Sequence, residues 1–189
     1  GAVYIFFGYP GFDTSYGKYM NPADANVTIY GAAAGDHFGW SVSDAGNVNG
    51  DTMDDVIIGA PDVGYTRTAY MATEAGSQKA FIFFGRTSWS SSYTSSQADA
   101  NLTGRRGDKF GASVSTAGDI NNDGKKDVLI GAYADTNQNM SSCGRAWIYF
   151  GSANIKWRPG PTWPASGTSF GDVGAESSCR FVDIDRDGD

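Results

Sequence analysis

The sequence predicts an all-β chain, a segment of a β-propeller built from four-stranded sheets, and three observations predict it. A block that reads strand, oxygen-rich turn, strand runs over residues 38–60 (FGWSVSDAGNVNGDTMDDVIIGA), returns over 110–132 (FGASVSTAGDINNDGKKDVLIGA) and starts a third time at Phe170. A second, aromatic strand recurs between these blocks as GAVYIFFG over 1–8, QKAFIFFG over 78–85 and GRAWIYFG over 144–151. Composition agrees: 26 glycines and 14% aromatic residues, without long helix-favouring stretches, suit short strands joined by many turns.

Taken in order, residues 1–31 supply the last two strands of one blade, the apolar run at 2–7 and then ADANVTIYG at 23–31. Residues 38–104 form a whole blade: the Phe-Gly strand, the strand after the turn, the aromatic strand, and a short fourth strand at the echo ADANLTG over 98–104. Residues 110–165 repeat the plan as a second whole blade, and 170–189 open a further one with its first strand and turn. The blocks start 72 and then 60 residues apart, so loops vary while strands do not. The longest variable pieces are 61–77 and 87–97; the latter, Ser-rich, is expected to be an exposed, flexible loop. A propeller of fewer than about four blades does not close, so the expectation is a piece of a longer chain, or one completed by other copies or subunits. A start inside a strand with no signal peptide, and an end inside the third turn, point the same way.

The turns carry the chemistry. Asp119, Asn121, Asp123 and Asp127 stand at positions 1, 3, 5 and 9, with Gly124 at position 6, where a loop wrapping a hard cation bends most sharply. Asn47, Asn49, Asp51 and Asp55 occupy the same positions in the first block, and the third reaches Asp183, Asp185, Asp187 and Gly188 before the chain stops. This is a calcium-loop pattern, but not an EF-hand, which has flanking helices and a bidentate Glu at position 12. Position 12 here is Ile130, inside the strand Val128-Leu129-Ile130, so the ligand set closes at Asp127. A solvated acidic turn is the alternative for a single copy; three copies of one spacing weigh against it. Carboxylates crowded in this way repel one another without a cation, and calcium turns that repulsion into a cross-link between neighbouring strands. The consequence is stability and a fixed loop face rather than catalysis.

A formal net charge of −7 disfavours nucleic acid and anionic membranes as partners and suits bound cations. No apolar run approaches the roughly 20 residues needed to span a bilayer. Cys143 and Cys179 are too few for a disulfide framework; one bridge between them and two separate buried thiols both stand as readings. Acceptor triplets at Asn26, Asn101 and Asn139 mark candidate N-glycans. With calcium loops suited to millimolar calcium, they point to an extracellular or cell-surface location.

These residues resemble the FG-GAP repeats of the integrin α-subunit β-propeller and of related extracellular proteins, including the propeller region of glycosylphosphatidylinositol-specific phospholipase D. Phe38-Gly39, Phe110-Gly111 and Phe170-Gly171 match the FG, and Gly59-Ala60-Pro61 and Gly131-Ala132-Tyr133 match the GAP. The resemblance implies a seven-bladed propeller, of which this chain holds about three blade equivalents, with calcium in the hairpins joining first and second strands on one face. The ligands it implies are Asp119, Asn121, Asp123, the main-chain carbonyl of Lys125, and Asp127 in one loop. In the preceding loop they are Asn47, Asn49, Asp51, the carbonyl of Met53, and Asp55. In the last they are Asp183, Asp185, Asp187 and the carbonyl of Asp189. Two departures bear on this. The first loop has Thr52 where the family prefers Gly, and neutral amides at positions 1 and 3, so weaker binding is expected there. The third repeat is four residues longer between Phe170 and Asp183, which unsettles its strand register.

Other features are set aside. Arg106-Gly107-Asp108 spells an adhesion tripeptide, but its Gly-Asp pair aligns with Gly35-Asp36 and belongs to the repeat. His37, the sole histidine, is expected to be exposed, and nothing near it in sequence completes an active site. The aromatic strands are expected to pack between blades. The function these readings favour is a non-catalytic, calcium-binding propeller segment serving protein interaction or cell adhesion. The alternatives are the accessory propeller of a secreted hydrolase such as a phospholipase D, or a subunit of an extracellular filament whose open edges are completed by neighbouring copies.

Overall fold

The computed structural model describes residues 1–8, 21–61, 78–104, 107–135 and 143–153. The chain divides into two compact units, Gly1–Trp157 and Arg158–Asp189, and every described residue belongs to the first. Asp183, Asp185, Asp187 and Asp189 therefore lie outside the described residues, as do Arg106, Asn139 and Cys179.

The described residues form ten strands, in chain order β1 (Ala2–Ile5), β2 (Val27–Tyr30), β3 (Ser41–Gly46), β4 (Asp55–Ala60), β5 (Lys79–Phe83), β6 (Ser92–Thr94), β7 (Ala100–Thr103), β8 (Phe110–Gly118), β9 (Asp127–Ala132) and β10 (Arg145–Tyr149). They form three sheets, and no α-helix occurs among the described residues. The complete sheet is an antiparallel meander in the order β3-β4-β5-β7. The following repeat gives β8-β9-β10, also antiparallel, and the first sheet is β1-β2-β6. The fold is all-β, a partial β-propeller of four-stranded blades.

Two apolar clusters lie at the two junctions between sheets. In one, Ile57, Ala80 and Ile82 of the complete sheet meet Phe110, Val128, Ile130 and Ala132 of the next. In the other, Ile58, Ala60, Phe81 and Phe83 meet Val3, Val27 and Ile29 of the first. Sheet β3-β4-β5-β7 is thus covered on both faces. This is why β4 and β5 read as continuous apolar runs and not as an alternation. The expected packing of the aromatic strands between blades holds on both faces for this middle copy and on one face for the others, where Val3 and Ile5, and Trp147 and Tyr149, join the two clusters. Tyr4, Phe7, Ile148 and Phe150 are exposed, because β1 and β10 belong to sheets packed on one face by the described residues.

The structure corrects four further expectations. Residues 87–97 are largely exposed, as expected, but they are not an irregular loop: Ser92–Thr94 forms β6, Tyr93 is 8% exposed, and a single 3-10 turn, Ser95–Gln97, follows. The ADAN echo is displaced by two residues in space. Asn26 accepts from the Phe7 N–H through Oδ1 (2.7 Å), whereas the equivalent bond to the Phe84 N–H (2.7 Å) is made by Asp99, so Asn26 matches Asp99 and not Asn101. The 3-10 turns Pro22–Asp24 and Ser95–Gln97, and the closing Gly31 and Gly104, set that register; the repeated letters do not. His37 is half-buried, edge-on to Trp40 with ring centroids 5.9 Å apart. Cys143 is exposed, its thiol donating to the Asp135 carbonyl (3.6 Å), so it is not a buried thiol.

Candidate metal centre

Both candidate loops leave their strands through the same bulge. The register slips between Asp44 and Gly46 in one copy and between Thr116 and Gly118 in the other, with both glycines in the left-handed region (φ 63° and 77°). From there the two loops follow one backbone path. Positions 4 and 6 have positive φ in each: Gly50 (83°) and Thr52 (84°) in the first, Asn122 (59°) and Gly124 (85°) in the second. Glycine therefore serves position 4 in one loop and position 6 in the other. Thr52, β-branched, is held where such residues pay on the order of 1–3 kcal/mol of strain.

The side chains at positions 1, 3 and 5 brace the bend. Asn47 accepts through Oδ1 from the Gly50 and Asp51 N–H groups (2.7 and 3.0 Å), and Asp119 accepts from the Asp123 and Gly124 N–H groups (3.0 and 2.9 Å). Asn49 and Asn121 accept from the position 5 N–H (2.9 and 3.1 Å) and donate Nδ2 to its carboxylate (2.8 and 3.2 Å). Asp51 and Asp123 accept in turn from the N–H groups of Met53 and Lys125 (both 2.9 Å).

Position 9 does something else. Asp55 and Asp127 are 1% and 0% exposed, and each uses both oxygens as ties. One oxygen accepts from the position 2 N–H, of Val48 (2.8 Å) or Ile120 (2.9 Å). The other accepts from the glycine after the third strand, Gly85 (2.8 Å) or Gly151 (2.9 Å). A single buried carboxylate thus fastens the loop, the start of the second strand and the end of the third. Burial raises the Asp55 carboxyl above its usual range, against the lowering effect of the Gly85 and Val48 N–H groups.

Every donor in these loops is oxygen, the chemistry of a hard cation. A carboxylate or amide oxygen has two lone pairs, so accepting loop N–H groups does not exhaust them. Among the described residues no three Asp, Glu, His or Cys side chains gather closely enough to hold a metal by themselves. A calcium ion here would therefore have to draw on the amides of Asn47, Asn49 and Asn121 and on the carbonyls of Met53 and Lys125 as well as on the carboxylates. The Lys125 ammonium, 3.8 Å from Asp123 Oδ1 and donating to the Asp123 carbonyl (3.4 Å), places a positive charge beside the second loop. The two loops also abut. Lys126 N–H donates to the Asn47 carbonyl (2.9 Å) and Ser152 N–H to the Val48 carbonyl (2.8 Å).

At the other end of the strands, the Phe-Gly and Gly-Ala pairs form the contact between sheets. Gly111 has φ 86°, and a Cβ there would stand 2.5 Å from the Lys79 carbonyl; a Cβ on Gly59 would stand 2.0 Å from the Gly111 carbonyl. Ser41 Oγ donates to that same carbonyl (2.8 Å). Phe110 is fully buried beside Trp147 and Tyr149. Its N–H is held by Asp108 Oδ1 (2.9 Å), as Asp36 holds that of Phe38 (3.0 Å). Asp108 is 3% exposed, which fits a turn-holding role and not that of an adhesion tripeptide. No motif marks Gln78, a buried side chain whose Oε1 accepts from the Phe110 N–H (3.2 Å).

The FG-GAP repeat family matches residues 110–149, which span the Phe-Gly turn, the loop and the Gly-Ala strand just described. The chain carries an FG-GAP repeat. It is also 32% identical over 135 residues, 68% of its length, to the phosphatidylinositol-glycan-specific phospholipase D of Dictyostelium discoideum. The FG-GAP chain spans 14% of that protein. No helix among the described residues is long and apolar enough to cross a membrane.

Proposed function

We propose that this FG-GAP chain is a calcium-binding, non-catalytic propeller segment of an extracellular or cell-surface protein, serving protein interaction or adhesion. The observation that carries the proposal is the identity of the two loop paths: positive φ at positions 4 and 6 and a buried, doubly tied Asp at position 9 recur although only some of the residues do. Calcium would be held by Asn47, Asn49, Asp51, Asp55 and the Met53 carbonyl in one loop, and by Asp119, Asn121, Asp123, Asp127 and the Lys125 carbonyl in the other. The protein's own part is to hold those oxygens in place. Asp183, Asp185, Asp187 and the Asp189 carbonyl would serve a third site, and glycans at Asn26, Asn101 and Asn139 would fit an extracellular setting. Partners are other proteins, or further subunits or copies completing the propeller.

A second reading is favoured by the Dictyostelium relative, whose name is that of an enzyme. On that reading the segment is an accessory propeller and catalysis resides elsewhere in a longer chain. Calorimetric titration of the full chain with calcium tests what both share. Heat of binding that falls when Asp119 and Asp123 are changed to Ala is expected; its absence in the unaltered chain would overturn the calcium assignment.

A further inference from the structure

Strand β6 belongs by sequence to the connection between the third and fourth strands of one sheet, yet it pairs with a different sheet. Thr28, Ile29 and Tyr30 of β2 lie in parallel register with Ser92, Tyr93 and Thr94, and the Thr28 N–H donates to the Ser91 carbonyl (3.0 Å). Three residues of pairing hold little by themselves, since an isolated short strand is marginal. What fixes the segment is Tyr93. Its ring enters the cluster of Val3, Val27, Ile29 and Phe83 and stands edge-to-face with Phe83 and Trp89, at 6.2 and 5.6 Å. The Arg86 guanidinium lies over both Trp89 and Tyr93 (4.9 and 5.5 Å) and is paired with Asp99. The Ser90 N–H donates to the Tyr93 hydroxyl (3.1 Å). Ser90, Ser91 and Ser92, which precede Tyr93, are exposed.

We propose that Ser91–Thr94 is a strand donated within the chain that closes the outer edge of the preceding sheet, anchored by Tyr93, and that it keeps that edge from pairing with a second copy. β2 is the outermost strand of its own repeat, and an uncovered edge of that kind recruits other strands. With β6 in place its outward N–H and C=O groups are satisfied within the chain. The clasp does not involve the candidate calcium loops, so it works with or without the metal.

Hydrogen exchange and light scattering on the full chain, in calcium and in chelator, test this. The Thr28 amide is expected to be protected in both conditions. Tyr93→Ala should speed its exchange at least about tenfold and shift the chain towards larger species as concentration rises, while Tyr93→Phe, which keeps the ring, should leave both unchanged. Unchanged Thr28 exchange in Tyr93→Ala overturns the clasp, and faster exchange without association overturns its edge-closing role. If Tyr93→Ala loosens the whole chain, the pair Thr28→Cys and Ser92→Cys in a Cys143→Ser background decides. Cross-linking on oxidation supports the pairing, and failure to cross-link overturns it.

Discussion

Gly59 and Gly111 meet backbone to backbone across the junction of two sheets, so close that a Cβ on Gly59 would stand 2.0 Å from the Gly111 carbonyl. The contact explains the two halves of the repeat signature as one device: the Gly of the Gly-Ala strand leaves room that the Gly of the next Phe-Gly turn fills. Substitution should therefore be costly for steric reasons. Gly59→Ala is expected to destabilise by about 3 kcal/mol, in the upper range for overpacking. Gly35→Ala is the control. Gly35 has φ 84° but nothing within 4 Å of its Cβ position, so only backbone strain of about 1 kcal/mol applies. Urea unfolding of both variants checks the difference.

Thr52 occupies the left-handed region in which the second loop uses Gly124. Thr52→Gly should relieve that strain, raise stability by about 1 kcal/mol and tighten calcium at the first loop several-fold. The reverse change, Gly124→Thr, should weaken the second loop. Calcium titrations of the two single-loop knockouts rank the loops, with the first expected to be weaker because it also carries two amides at positions 1 and 3.

Asp55 and Asp127 act as structural ties whether or not a metal is present. Asp127→Ala would strand the part-buried N–H of Ile120 and the buried N–H of Gly151, and an unpaired buried donor costs about 1–3 kcal/mol. The variant should lose stability even in chelator. Asp119→Ala, at an exposed bend, should lose much less under the same conditions. Chemical denaturation in chelator separates the two.

Alkaline pH should loosen the junction around Phe110. Burial, with a smaller effect from the Asp108 carboxylate, pushes the Tyr149 phenol up to about 12. The folded state therefore favours the neutral phenol, and its contribution is fully present below the usual value near 10 and is lost as pH rises from there through about 12. Stability measured across that window should fall less steeply in Tyr149→Phe than in the unaltered chain.

Much of this was legible because repetition supplies its own alignment. The strand order of the complete sheet, the loop positions and the awkward placing of Thr52 all follow from laying 38–60 over 110–132. What failed to show has physical causes. β6 hides in a serine tract because its pairing is through backbone, and only Tyr93 carries the packing. The ADAN echo misled because hydrogen bonds from Phe7 and Phe84 choose Asn26 and Asp99 as acceptors, and either residue type serves. Asp55 and Asp127 read as ligands alone because sequence spacing does not reveal that Gly85 and Gly151, some 30 and 24 residues on, donate to them.

Thermal melting of the full chain, first with calcium and then with excess chelator, tests the calcium-loop account most directly. A melting temperature clearly higher in calcium, with the increment reduced by Asp119→Ala together with Asp123→Ala, is the predicted result. Identical melts in the two solutions would contradict it.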